Sequence, residues 1–200
     1  MNGLYTIGYA AFDNIDIFIQ TLKNNNVNVI ADVRSVPRSR YKPEFSDNSL
    51  KNRLKKSGIM YVFLGDSCGA RINDPSCYTD GHVSYERIKE TSIFKQGINR
   101  ILNGLNKYSI ALLCAEKDPI YCHRDILVCR NLKPFKINIQ HIISDKIIET
   151  NESAEDRLLK EFDLDTDDLF MSDAERLDSA YDQQGERIAY KLQSQEVYNI

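Results

Sequence analysis

Ser109-Ile-Ala-Leu-Leu-Cys-Ala-Glu-Lys-Asp-Pro-Ile-Tyr-Cys-His-Arg-Asp-Ile-Leu-Val-Cys-Arg-Asn-Leu132 is the stretch on which the fold turns. Residues 110–113 are an apolar run of the kind buried on both faces of a sheet. The run ends at Cys114 and Glu116, a loop with Pro119 follows, and a helical pattern begins at Arg124. Strand, loop and helix therefore come in succession. Two thiols, a carboxylate, an imidazole and a guanidinium fall within residues 114–124. The stretch says where chemistry can sit before it says which chemistry.

Working outward, the same alternation repeats. Residues 4–9 read as a first strand, and Asp13 or Asn14 caps a helix carrying Ile15, Phe18, Ile19 and Leu22. A second strand, 27–33, delivers Asp32 and Arg34 at its end. Pro37 and Pro43 make 35–48 a loop, and a helix with Leu50 and Leu54 inward closes at Gly58. Residues 60–64 are a third strand, 65–84 an irregular stretch, 85–106 a mostly helical one, 109–114 a fourth strand and 137–143 a fifth. Strands alternating with helices predict a single α/β domain: a mostly parallel, about five-stranded sheet with helices on both faces. In such sheets ligands bind beyond the C-terminal strand ends. Gly8, Asp32, Arg34, Gly65, Cys114 and Glu116 all fall there.

From Asp145 onward there are 16 acidic and 6 basic residues, against 13 acidic and 20 basic before it. The reading is an α/β domain over 1–145 and an acidic helical extension over 146–200. Its helices lie near 152–162 and 173–192, as a packed appendage or a homodimerisation arm. The opposite charge concentrates in 34–56, where Arg34, Arg38, Arg40, Lys42, Lys51, Arg53, Lys55 and Lys56 face only Glu44 and Asp47. Such a segment attracts phosphate. No apolar run approaches the roughly 20 residues of a spanning helix. Neither a secretory signal nor a disulfide framework is visible among the five cysteines. A cytoplasmic protein with free thiols is the expectation, with no membrane partner.

The candidate catalytic residues are Glu116, Cys114, Cys122, His123 and Asp32. Cys122, just before a helix, can have a lowered pKa and act as nucleophile. Cys114 and Glu116, two apart, offer a nucleophile and a general base. Asp32 is a base or Arg34's partner. Tyr9, Arg34, Arg38, Ser39, Arg71 and Arg124 are the candidate substrate-binding residues, with Arg71 able to close over a ligand. Cys129 reads as core, and His82 and His141 as structural. No cofactor is expected. A metal held by Cys114, Cys122 and His123 is a lesser alternative, because the spacing lacks the tight CxxC of zinc sites. There is no P-loop, GxGxxG or GxSxG.

Thr6-Ile-Gly-Tyr9, Asp32-Val-Arg-Ser-Val-Pro-Arg-Ser39, Pro43-Glu-Phe-Ser46, Gly58-Ile-Met-Tyr61, Leu112-Leu-Cys-Ala-Glu116 and Cys122-His-Arg124 together resemble the domain-of-unknown-function family 488 of bacteria and archaea. Asp168-Leu-Phe170 and Ala180-Tyr181 resemble its tail, while Ala10 departs from the family's frequent Ser. The resemblance implies an α/β domain with a polar rim site, not a reaction. The leading expectation is an enzyme acting on an anionic, nucleotide-like or nucleic-acid substrate, with Glu116 or Asp32 as base or as stabiliser of a positive transition state, as in N-glycosidic cleavage. Thiol chemistry by Cys114 or Cys122, in sulfur or phosphoryl transfer, is the first alternative. A non-catalytic module binding nucleotide or nucleic acid through 34–56, in genome maintenance or defence, is the second.

Overall fold

A computed structural model describes residues 2–192. Its strands are β1 (Leu4–Gly8), β2 (Val29–Asp32), β3 (Met60–Phe63), β4 (Tyr78–Thr79), β5 (His82–Val83), β6 (Ile110–Cys114), β7 (Ile139–Ile142) and β8 (Ile148–Thr150). Its α-helices are α1 (Ile15–Asn24), α2 (Asp47–Lys56), α3 (Gly65–Cys68), α4 (Tyr85–Glu90), α5 (Ser92–Leu105), α6 (Arg130–Leu132), α7 (Asn151–Glu161) and α8 (Asp173–Ile188). The main sheet runs β3-β2-β6-β1-β7-β8, parallel except for β8. The expected α/β architecture is borne out, with six strands rather than about five.

The chain lays down β1, then β2 and β3 to one side, and later inserts β6 between β1 and β2. The quoted stretch thus becomes the central strand. Ile110 to Cys114 are all buried, as are all four residues of β2. Alternate side chains serve two cores. Val29, Ala31, Ile110 and Leu112 join α5 on one face, while Ile30, Ala111 and Leu113 join α1 and α2 on the other. Asn14 caps α1 by accepting from the Asp16 and Ile17 amides, and Gly58 after α2 takes the left-handed φ of +77°.

Three local expectations are corrected. The 85–106 helix is broken at Thr91, which is extended and caps α5 through the Phe94 amide. The irregular 65–84 stretch contains the β4–β5 hairpin, whose Asp80-Gly81 turn has both residues at positive φ, a signal present in the sequence. Residues 124–129 form a π-helix, continued by the single turn α6.

Every residue from Arg124 to Cys129 is buried, because the segment is covered from both sides. The sheet lies beneath it. Above it, Ile126 and Ile120 pack with Ala154 and Leu158 of α7 and Ala180 and Tyr181 of α8. The acidic helices therefore roof the segment that carries His123 and Arg124. Their ion pairs go to Arg130, Lys133, Arg157, Arg176 and Arg187, not to 34–56. Positions 193–200 of the expected extension lie outside the described residues.

Gly8 shows how tightly the rim is assembled. A Cβ there would lie 1.7 Å from the Glu116 carbonyl oxygen, a backbone atom that cannot swing away. Gly8→Ala should therefore cost about 1–3 kcal/mol or more in denaturant unfolding, as overpacking does. A change below about 0.5 kcal/mol, the usual scale of a neutral surface substitution, would contradict the close approach.

Candidate functional site

Strand register makes the site. Gly8 of β1 lies opposite Cys114 of β6, and Asp32 of β2 lies opposite Leu113. Three central strands thus end together, and the residues just past them meet. A cavity of about 310 Å³ opens there. Of the eleven sequence candidates, Tyr9, Arg34, Arg38, Arg71, Cys114, Glu116, Cys122 and His123 line it, while Asp32, Ser39 and Arg124 do not.

The floor is the thiol pair. Cys114 Sγ lies 3.7 Å and Cys122 Sγ 3.9 Å from His123 Nδ1. His123 Nε2 lies 2.9 Å from the Val33 carbonyl oxygen. A carbonyl only accepts, so Nε2 carries the hydrogen, and the Nδ1 of the neutral ring faces both sulfurs as an acceptor. Cys114 is held below the ordinary cysteine range by a hydrogen bond from the Cys122 thiol. Burial opposes this, while the Arg124 charge and the backbone N–H groups of Ala115 and Glu116 add to it. Cys122 is pushed up, by burial first and by Cys114 next. Burial also works against protonation of His123, but its contacts with Cys122 and the Val33 carbonyl outweigh that and raise its pKa. The three donor atoms all lie within 4.8 Å of one another. They could hold a soft ion such as zinc, one ligand short of a closed tetrahedral set.

The wall is Arg34. Its backbone N–H and Nε donate to Asp32 Oδ1 at 3.1 and 2.9 Å, Nη2 to Asp32 Oδ2 at 2.6 Å, and Nη1 to the Phe45 carbonyl at 3.0 Å. Tyr61 donates its hydroxyl to Asp32 Oδ2 at 2.8 Å. Both Asp32 oxygens are thus occupied, and Arg34 is a fixed charge whose face meets the Tyr9 ring, itself stacked on Phe45. Ser39 is spent within its own loop, where its hydroxyl accepts from the Lys42 amide. The exposed cations at the cavity are Arg38 and Arg71, the latter lying over the Tyr190 ring at 3.9 Å.

Arg124 lies beneath the site. It is fully buried and donates to Thr6 Oγ1 at 3.2 Å, the Glu116 carbonyl at 2.6 Å and the Lys117 carbonyl at 3.1 Å. It forms no ion pair among the described residues. Instead it pins the loop that follows Cys114. Sequence reading missed what continues from it. Thr6 Oγ1 also lies 2.8 Å from His141 Nδ1, and His141 Nε2 lies 3.8 Å from Asp125 Oδ1. Among the described residues neither His141 Nε2 nor Asp125 Oδ1 has a hydrogen-bond partner. Tyr61, Tyr85, Tyr121 and Tyr190 were missed as well. Only the assembly of distant strands brings them to the rim, and no local spacing announces it.

The family model for the domain of unknown function DUF488 matches residues 14–130. The chain belongs to that family. The match takes in β2, β6 and the Cys122-His-Arg124 turn, while Thr6-Ile-Gly-Tyr9 and the tail motifs lie outside it. No curated protein and no solved structure matches the chain.

The buried Asp125–His141 contact has a pH signature. Burial pushes the Asp125 carboxyl up to about 7, with Arg124 and Lys133 opposing and Glu155 and Cys122 assisting. Burial pushes His141 down to about 4, assisted by Arg124 and Arg157 and opposed by Glu149 and Asn151. The Asp125 contribution to stability is full below the ordinary carboxyl range and is lost as pH rises towards 7. The His141 contribution is full above its ordinary 6.5 and is lost as pH falls towards 4. The two oppose each other between about 4 and 6.5. Asp125→Asn leaves only the second, so urea midpoints of that variant should rise with pH across this window, more steeply than in wild type. Parallel profiles would refute the assignment.

Proposed function

We propose that the protein is a thiol-dependent enzyme acting on an anionic substrate, with Cys114 as nucleophile. The observation that carries this is the charge balance around Arg124. Burying a guanidinium costs several kcal/mol unless a counter-charge compensates. Arg124 touches no carboxylate, and its neighbour Asp125 is held towards the neutral form. Of the two thiols near it, Cys114 is held below the ordinary cysteine range and Cys122 is pushed up, so Cys114 is the one favoured as thiolate. A Cys114 thiolate is therefore the natural partner of the buried cation.

The rest of the cavity suits that assignment. His123 Nδ1 stands where it can take or return the thiol proton. The exposed Arg38 and Arg71 suit a negatively charged group above the sulfur. Sulfur or phosphoryl transfer is the class of step that uses this set. In the phosphoryl case an S–P bond forms as the P–O bond to the leaving group breaks. The leaving oxygen then takes up the proton that His123 Nδ1 took from the thiol. Glu116, exposed at the cavity, is the carboxylate left for N-glycosidic cleavage, since Asp32 is engaged by Arg34 and Tyr61. The reading needs no cofactor. Five free, buried cysteines suit a reducing cytoplasm, and among the described residues no helix is long and apolar enough to cross a membrane.

Peptide-resolved alkylation with iodoacetamide at neutral pH tests this. Cys114 should react first, Cys114→Ser should remove the fast phase, and His123→Gln should slow it by about tenfold or more. Alkylation of Cys114 no faster than an ordinary thiol would sink the reading.

A further inference from the structure

We infer that the substrate of this cavity is single-stranded nucleic acid, which reaches it along a track from α2 through the loop 38–42. The inference rests on the thiol reading for its chemistry but not for its binding.

Among the described residues Arg38, Arg40, Lys51, Lys55 and Lys56 are all exposed and form no ion pair, whereas Arg53 pairs with Asp16. Lys51 and Lys55 are four apart on α2, so their like charges lie on one face and destabilise the helix unless an anion sits between them. The described part of the acidic extension makes its ion pairs elsewhere on the molecule. The track is continuous. The loop docks on the start of α2 through the Asp47 amide to the Pro37 carbonyl and the Ser39 amide to Ser46 Oγ. The helix then carries its lysines, from Lys51 to Lys56, along about 7.5 Å. At the other end Arg38 lines the cavity.

Two features select a single strand. Tyr41, between Arg40 and Lys42, is 95% exposed, a bare aromatic face flanked by cations. That is the composition of a base-stacking platform, and bases are open to stacking only when unpaired. Cys114, at 5% exposure, lies on the floor of a cavity walled by Tyr9, Tyr121 and Tyr190. A stiff duplex is too broad to descend to it, whereas a flexible single strand can turn one nucleotide with its phosphate into the cavity.

Fluorescence anisotropy with labelled oligothymidylate, oligouridylate and a matched duplex, alongside flotation with phosphatidylserine vesicles, tests the inference. Single strands should bind with a slope of log affinity on log salt near −3.5, about 0.7 for each of five phosphate contacts. Lys51→Gln with Lys55→Gln should bring the slope to about −2, and Tyr41→Ala should weaken binding by about tenfold. The DNA and RNA arms decide which sugar is preferred. A flat salt dependence, equal or tighter duplex binding, or capture by vesicles without strand binding would overturn the inference. Absent strand binding with a reactive Cys114 removes the inference and leaves the thiol reading. Strand binding with an unreactive Cys114 does the reverse.

Discussion

Taking a guanidinium out of water is among the most expensive things a fold can do, and this one does it at its centre. Arg124 recovers its hydrogen bonds from one hydroxyl and two backbone carbonyls, none of them charged. Those bonds have structural consequences. They tie the π-helix to β1 through Thr6, and they fix the 115–117 loop over Gly8, where only a glycine leaves room for the Glu116 carbonyl. They leave a positive charge uncompensated directly beneath two thiols. The geometry of the rim descends from that one side chain, and its charge adds to the Cys122 hydrogen bond that lowers Cys114.

A division of labour among the arginines follows. Arg34 is locked to Asp32, with Tyr61 and the Phe45 carbonyl completing the set, so it shapes the wall and its field without moving. Arg124 works from below. Arg38 and Arg71, which are exposed, are the ones free to follow a ligand. The acidic C-terminal helices belong to the same arrangement. Packing on Ile120 and Ile126 buries the π-helix on the side away from the sheet, and keeps Arg124 dry.

Much of the fold was legible because it rests on local patterning. The apolar runs at 4–8, 29–32 and 110–114 and the helical spacing of Ile15, Phe18, Ile19 and Leu22 announce buried strands and an amphipathic helix. What periodicity does not carry is strand order. That β6 slides between β1 and β2 decides that Gly8, Cys114 and Val33 meet, and nothing in any one window says so. The same gap shifted the weight of the sequence reading towards Glu116 and the arginine cluster. Spacing cannot show that Arg34 and Arg124 spend their donors internally, nor that His123 turns Nδ1 to two sulfurs because Val33 holds Nε2. β8 was missed because three residues are too few to show alternation. The link of His141 to Thr6 was not legible, because 135 residues separate the two in the chain.

The central claim is that Cys114 is a thiolate supported by the buried Arg124. Ultraviolet thiolate absorption followed against pH, as a difference between wild type and Cys114→Ser, reads this directly. One sulfur should ionise below the ordinary cysteine range in wild type, vanish from the titration in Cys114→Ser, and move upward in a folded Arg124→Met variant. If every sulfur of the wild type ionises at or above the ordinary range, the account is wrong.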